Sequence, residues 1–166
     1  MLYAMEDNTY AQASKWDGGV AATFFSDLVR CETRLYNALN DRLRRRHGIT
    51  ASQYEFLRYL HDHPDARVGD LAGFFAIGVG ATSKGIDRLE GRGLVGRVPD
   101  PADRRSSLLE LTDTATQLVH EADETFAAIG ALVHAALDPA QLHDAGQALR
   151  QLLTALEHDR IGTPAG

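Results

Sequence analysis

The side chains best suited to chemistry in this sequence are basic ones in two short stretches. Lys84 and Arg88 are four residues apart, a spacing that places both on one face of a helix. Arg104 and Arg105 stand in a segment rich in aspartate and proline, which is typical of a hairpin tip. Lysine and arginine bind phosphate and also donate hydrogen bonds to guanine edges. These residues therefore predict contact with a nucleic acid from a helix and from a hairpin.

Two short amphipathic helices are predicted around these residues, separated by a turn at residues 77–80. Their inward positions recur at helical spacing: Val68, Leu71, Ala72 and Phe75 in the first helix, and Thr82, Ile86 and Leu89 in the second. Strands are predicted at residues 95–99 and 108–111, joined by the loop that carries the two arginines. We therefore predict a winged helix-turn-helix at residues 49–112.

Long helical regions are predicted on both sides of this module, at residues 20–48 and 113–160. Either Thr50 or Ser52 can cap the helix that follows the first long one. Thr112 and Asp138 are also suited to cap helices, and Pro139 favours a helix start. The first helix would be about 40 Å long. Because a small domain needs less for its own core, we expect both helical regions to interlock with a second copy in a homodimer. The predicted fold is mostly α with a small β-wing, flanked by long N- and C-terminal dimerisation helices.

The charge balance is acidic overall but not uniform. The net charge is −6, yet residues 40–112 hold twelve Lys and Arg against ten acids, which is +2, so the remainder is −8. Phosphate binding is driven largely by basic side chains that displace counterions. An acidic frame around a locally basic module fits a DNA-binding protein that avoids indiscriminate association.

The rest of the composition excludes several classes of protein. Residues 1–19 are polar and lack the order of a signal peptide, so we expect a flexible arm there and a disordered tail at residues 161–166. No apolar run is long enough to span a bilayer, and we expect a cytoplasmic protein with no membrane partner. Cys31 is the only cysteine, which excludes an intrachain disulfide. No enzyme, cofactor or metal motif is present, and His61 and His63, the only close histidine pair, would point apart on a helix.

The order of elements resembles the MarR family of bacterial transcriptional regulators, over roughly residues 22–158. The family's wing motif, Asp-x-Arg-x5-Leu-Thr-x-x-Gly, is matched by Asp103, Arg105, Leu111 and Thr112, with Ala115 in place of the glycine. That departure should be mild, because alanine is the better helix former. The resemblance implies a homodimer whose recognition helices enter successive major grooves of a pseudo-palindromic, double-stranded DNA operator while the wings reach minor grooves. It also implies that Asp103 and Arg105 are structural partners, which leaves Arg104 as the better candidate for the minor groove.

The outward face of the second short helix is the predicted reading surface. The predicted DNA-binding residues are Ala81, Ser83, Lys84, Asp87 and Arg88 of this helix, with Arg104 and Arg105 of the wing. The interior glycine at position 85, together with Gly80, would soften the helix. We hypothesise that specificity depends in part on DNA shape and on the wing.

A small effector is implied by the resemblance, because the family commonly represses genes near its own and releases DNA when an aromatic or oxidant signal acts. A crevice beside the first long helix and the helix that starts near Thr50 is the predicted site. Its candidate residues are Tyr36, His47, Tyr54 and Arg58, which can stack on and pair with an aromatic carboxylate. We predict a repressor released by a small aromatic or phenolic ligand.

Two alternatives stay open. The first is a thiol-based oxidant sensor that acts through Cys31, although its place on the apolar line through Leu28 and Leu35 favours a buried structural cysteine. The second is a winged-helix interaction module with weak DNA binding, which the glycine-rich recognition helix and the acidic balance both favour.

Overall fold

The computed structural model describes residues 19–101 and 106–164 of the chain. Within these residues the elements follow in the order α1 Gly19–His47, α2 Ala51–Asp62, α3 Val68–Phe74, α4 Val79–Glu90, β1 Val95–Pro99, β2 Ser107–Leu111, α5 Asp113–Ala136 and α6 Pro139–His158. The predicted winged helix-turn-helix with long flanking helices is confirmed. Outside the described residues lie most of the predicted arm, the end of the tail, and the wing residues Asp103, Arg104 and Arg105.

The chain divides into two compact units, residues 1–37 and 38–166. The described part of the first unit belongs to α1, and its large apolar side chains Phe25 and Val29 are exposed. Cys31 is exposed as well, so its interpretation as a buried structural cysteine is wrong. The apolar pattern was misleading because Val29 and Leu35 on the same stretch also face solvent.

The core of the second unit lies where α2, α4, the wing strands and the start of α5 meet. Its buried members are Phe56, Leu57, Leu60, Ala66, Leu71, Ile86, Leu89, Leu94, Val95, Leu109, Ala115 and Val119. The three predicted inward positions of α4, Thr82, Ile86 and Leu89, are completely buried. The Thr82 hydroxyl donates to the carbonyl of Gly78 at 3.1 Å, so its burial leaves no polar group unsatisfied. The apolar side of α4 thus packs into the core, and the side chains on its opposite face are exposed to solvent.

The wing is a two-stranded antiparallel ribbon. Val95 pairs with Leu111, and Arg97 pairs with Leu109. The backbone N–H of Leu109 also donates to the carbonyl of Ala66 at 2.9 Å, which joins the ribbon to the segment that precedes α3. The wing is therefore attached to the helix-turn-helix by backbone as well as by side chains.

The predicted helix caps are confirmed, whereas one predicted turn is misplaced. Thr50, Thr112 and Asp138 each accept a hydrogen bond from a backbone N–H in the first turn of the helix that follows. The predicted turn at residues 77–80 is wrong for its last two residues, because α4 begins at Val79 with Gly78 as its N-cap. Gly80 therefore lies in the first turn of α4 and not in the turn that precedes it.

Candidate nucleic-acid interface

The outward face of α4 presents two unpaired cations. Lys84 and Arg88 are exposed and lie one turn apart, and neither forms an ion pair with any residue in the described ranges. Ala81 is exposed near the start of the helix, and Ser83 is half-buried beside it. This face can therefore offer two charged donors, a hydroxyl and a methyl group to a polyanion that lies along the helix.

Asp87, the acidic residue predicted to meet DNA, is engaged by the wing. Its Oδ1 accepts a hydrogen bond from Nη2 of Arg97 at 2.6 Å, and Arg97 also pairs with Glu90. The hydrogen bond to Asp87 and the charges of both acids raise the pKa of the Arg97 guanidinium above its ordinary value. Arg97 thereby couples β1 to α4 and offsets the negative charge next to Arg88.

A second ion pair fixes the base of the wing. Nε of Arg67 donates to Oδ2 of Asp100 at 3.0 Å, and a further guanidinium nitrogen contacts the same oxygen. The Asp100 side chain is only 3% exposed. Sequence reasoning missed this pair, because the two residues are 33 positions apart and no local pattern relates them.

An open cleft of about 630 Å³ separates α3 and α4 from the base of the wing. Its polar walls include Arg67, Ser83, Asp87, Arg97, Ser106 and Ser107. Both ion pairs described above therefore border this cleft. The guanidinium groups in this cleft are already paired with Asp87 and Asp100, and the Asp70 carboxylate also lines it, so the cleft is not by itself an anion site.

The wing residues predicted from the motif can be placed only in part. Leu111 is half-buried and packs on the core. The Thr112 hydroxyl accepts from the backbone N–H of Ala115 at 3.2 Å and donates to the carbonyl of Gly93 at 2.9 Å. Thr112 thus joins the end of α4, the wing and α5. The roles of Asp103, Arg104 and Arg105 stay predictions, because these residues lie outside the described ranges.

Comparison with known proteins agrees with this arrangement. The model of the MarR family matches residues 49–107. The uncharacterized HTH-type transcriptional regulator YhbI of Bacillus subtilis (strain 168) is 30% identical over 108 residues, which cover 65% of this chain and 68% of that protein. The chain belongs to the MarR family. Members of this family are transcriptional regulators and not enzymes, as expected of this chain from its sequence.

Other relatives of this MarR-family chain match it over different lengths. The regulator YsmB of Bacillus subtilis (strain 168), also described as an uncharacterized HTH-type transcriptional regulator, is 33% identical over 75 residues, which are 45% of this chain and 51% of that protein. The chain thus spans about half the length of that curated relative.

Solved structures share the fold over most of the chain. The transcriptional regulator BldR from Sulfolobus solfataricus superposes with a TM-score of 0.74 at 20% identity, covering 81% of this chain and 95% of that one. A MarR family regulator from Streptomyces coelicolor, solved in complex with DNA, gives a TM-score of 0.74 at 26% identity, covering 81% and 86%.

Two of the predicted effector residues of this MarR-family protein meet at an aspartate that sequence reasoning missed. Oδ1 of Asp123 in α5 accepts from the Tyr54 hydroxyl at 2.7 Å and from Nη1 of Arg58 at 2.6 Å. Arg58 also donates to Asp62 at 2.9 Å. The sequence does contain a sign of this contact. Asp123 stands beside the buried positions Val119 and Ala122 of α5, where a charged side chain needs a partner.

The other two predicted effector residues have different surroundings. Nε2 of His47 is hydrogen-bonded to the Thr125 hydroxyl at 2.9 Å, and Tyr36 belongs to the first unit. Burial, together with Asp123, raises the pKa of Tyr54 above its ordinary value. Hydrogen bonds to Asp62 and Asp123 raise the pKa of Arg58. The arginine is therefore charged and occupied, and an added carboxylate would have to displace Asp123.

The described ranges hold neither a cluster of metal-ligating side chains nor a membrane-spanning helix. They contain no group of three His, Cys, Asp or Glu side chains arranged to hold a metal ion. His61 contacts Asp62, and the His63 ring stacks on Tyr59 with centroids 4.2 Å apart. No helix found in these ranges is both long and apolar enough to cross a bilayer.

Proposed function

We propose that this protein is a homodimeric, sequence-specific DNA-binding regulator that represses transcription from a pseudo-palindromic operator. The observation that carries the proposal is the outward face of α4, where Lys84 and Arg88 are exposed and pair with no acid in the described ranges, while Arg97 engages Asp87. The Streptomyces coelicolor relative solved with DNA supports the same conclusion.

Each side chain on this face has a role that its chemistry suits. Arg88 and Lys84 reach guanine edges or phosphates, Ser83 reaches either, and Ala81 contacts a thymine methyl group. Asp87 acts by holding Arg97, and hence the wing, in position beside α4. Arg104 enters the adjacent minor groove, whose negative potential attracts a guanidinium group.

Dimer formation is part of the proposal because large apolar side chains are exposed on both flanking regions. Phe25 of α1 is 66% exposed, Phe126 of α5 is 50% exposed and Leu153 of α6 is 54% exposed. Exposed apolar surface of this kind marks an interaction site in a monomer. A second copy that buries these helices would also present two recognition helices to the two halves of a palindrome.

The proposal is tested by fluorescence anisotropy with duplex DNA from upstream of the protein's own gene, at two salt concentrations. We expect Lys84→Ala and Arg88→Ala each to weaken binding by roughly 5-fold to 100-fold, since a good base contact contributes about 1–3 kcal/mol. Arg160→Ala removes the same charge from the segment after α6 and serves as the control. Absence of binding by the unmodified dimer would refute DNA recognition and favour the interaction module.

Release by a small aromatic acid is the regulatory part of the proposal. Arg58 and Tyr54 already hold one carboxylate, that of Asp123, and the Tyr54 ring stacks on Phe126 at 5.9 Å. A phenolic acid that replaces Asp123 would separate α2 from α5. We expect such an acid to release DNA from the unmodified protein. The Arg58→Gln variant should still bind DNA, but the acid should release that DNA only weakly. Equal responses of the two proteins would exclude this site.

Oxidant sensing is the second candidate, and the exposure of Cys31 favours it. An exposed thiol is accessible to a peroxide, in contrast to a buried one. If it senses oxidants, an organic hydroperoxide should release DNA from the unmodified protein and leave Cys31→Ser bound. Continued binding by both proteins would retire this candidate.

A further inference from the structure

Four exposed arginines at two helix ends have no role in the site described above. Arg44, Arg45 and Arg46 form the last turn of α1, and Arg92 follows the end of α4. We call these four residues the helix-end arginines. None of them forms an ion pair with another residue in the parts of the chain that the structure describes.

The start of α2 brings the two helix ends together. Nη1 of Arg92 donates to Oε1 of Gln53 at 3.2 Å, and the same oxygen accepts the backbone N–H of Thr50 at 3.0 Å. On the α1 side, Oδ1 of Asn40 accepts the backbone N–H of Ala51 at 3.1 Å. Arg44 follows Asn40 by four residues, so it lies on the same face of α1 as Asn40.

The helix-end arginines continue the basic face of α4. Lys84, Arg88 and Arg92 follow one another at intervals of four residues, and the backbone N–H of Arg92 still donates to the carbonyl of Leu89 at 3.2 Å. Lys84 and Arg88 lie about 6 Å apart along the axis of α4, and Arg92 lies in the turn that follows the helix. Positive charge, here called the basic track, therefore extends from the exposed face of α4 to the helix ends that lie on either side of the start of α2.

Stabilisation of α1 alone does not account for this track. Basic residues in a last turn interact favourably with the helix dipole, but adjacent like charges repel one another. Arg92 lies just beyond the end of α4, where the dipole of that helix favours one cation but does not account for three adjacent ones on α1. Concentrated positive charge with no acidic partner is instead suited to a polyanion, whose bound counterions it can displace.

We infer that the helix-end arginines bind the phosphate backbone of DNA that flanks the segment read by α4. This inference rests on the proposed DNA-binding function and adds a second, sequence-independent contact to it. The flanking contact contributes affinity and salt dependence, while Lys84 and Arg88 contribute the choice of sequence.

The test compares a long operator duplex with one trimmed to the segment under the recognition helices. The variant is Arg44→Gln/Arg45→Gln/Arg46→Gln, with Arg92→Gln as an independent single change and Arg160→Gln, beyond the end of α6, as the control. On the long duplex we expect the salt slope of the triple variant to fall by about one unit for each phosphate that is no longer neutralised, and binding to weaken at least about tenfold. On the short duplex the triple variant should have the same affinity and the same salt slope as the unmodified protein. Its preference for operator over unrelated DNA should not change.

The possible failures are distinguishable. An unchanged salt slope on the long duplex, with normal binding by the unmodified protein, overturns this inference and leaves the proposed function intact. An unchanged slope accompanied by an altered mass in sedimentation assigns the arginines to a contact between copies, which also overturns it. If the unmodified protein binds neither duplex, the proposed function fails and this inference fails with it.

Discussion

The ring of Phe56 in α2 lies directly against Gly85 in the recognition helix. A Cβ atom added at Gly85 would stand 2.7 Å from Cε2 of Phe56, closer than such atoms approach without displacement. Phe56 is buried and packs on Phe75 with ring centroids 5.4 Å apart, so its ring has little room to withdraw. Close packing between α2 and α4, rather than a need for a softened helix, accounts for the glycine.

Gly85→Ala should therefore destabilise the protein, although alanine is the better helix former. We expect the free energy of unfolding to fall by roughly 1–3 kcal/mol, as for overpacked cores. Gly80→Ala is the matched control, because no neighbouring atom lies within 4 Å of the added Cβ. Urea denaturation measures both variants. Equal stability of the two would show that the Phe56 contact is not restrictive.

The two ion pairs that hold the wing should differ in their contribution to stability. Arg67→Met removes charged donors from Asp100, whose side chain is 3% exposed, and should lower the free energy of unfolding by roughly 1.5–3 kcal/mol. Arg97→Met removes pairs with Asp87 and Glu90, which are 56% and 41% exposed, and should cost less than about 1 kcal/mol. Thermal unfolding compares the two. A larger effect for Arg97 would contradict the argument from burial.

Tyr54 should make the protein sensitive to alkaline pH. Because the pKa of Tyr54 is raised in the folded protein from its ordinary value of 10.0, the folded state keeps a proton that the unfolded state releases. The associated stability is fully present below about pH 10 and is lost as the pH rises towards the folded pKa. The Tyr54→Phe variant lacks the hydrogen bond to Asp123, so its free energy of unfolding at neutral pH should be about 1 kcal/mol lower. Its stability should also fall less as the pH becomes alkaline.

Denaturation of both proteins across the alkaline range, alongside ultraviolet titration of the phenolate, measures this effect. Tyr59→Phe is the control, because it keeps the Tyr54 hydroxyl. This variant should still lose the part of its stability at alkaline pH that depends on Tyr54. An identical pH dependence in the unmodified protein and in Tyr54→Phe would refute the role of this hydroxyl.

The stability of the protein should depend on the hydroxyl of Thr112 and much less on its methyl group. Thr112→Val removes the cap of α5 and the hydrogen bond to Gly93, so we expect the free energy of unfolding to fall by roughly 1–2 kcal/mol. Thr112→Ser keeps the hydroxyl and should cost much less. Chemical denaturation ranks the three proteins. Similar effects of valine and serine would assign the residue's contribution to packing and not to capping.

Local patterns were sufficient for most of the fold. The caps at Thr50, Thr112 and Asp138 could be predicted because a capping side chain bonds within three residues of its own position. The inward face of α4 followed from helical periodicity. Periodicity failed at Cys31, because an apolar stripe shows which face a helix can bury and not whether a partner covers it within the same chain.

The sequence by itself determined the order of helices and strands, the capped helix starts and the family, because these depend on spacing along the chain. Only the tertiary structure decided which charged residues are available. Arg58 reaches Asp123 across 65 residues, and Arg67 reaches Asp100 across 33. Lys84 and Arg88 meet no acid in the described parts of the chain. An ion pair depends on what a distant element brings alongside, and the period of a single helix carries no information about that.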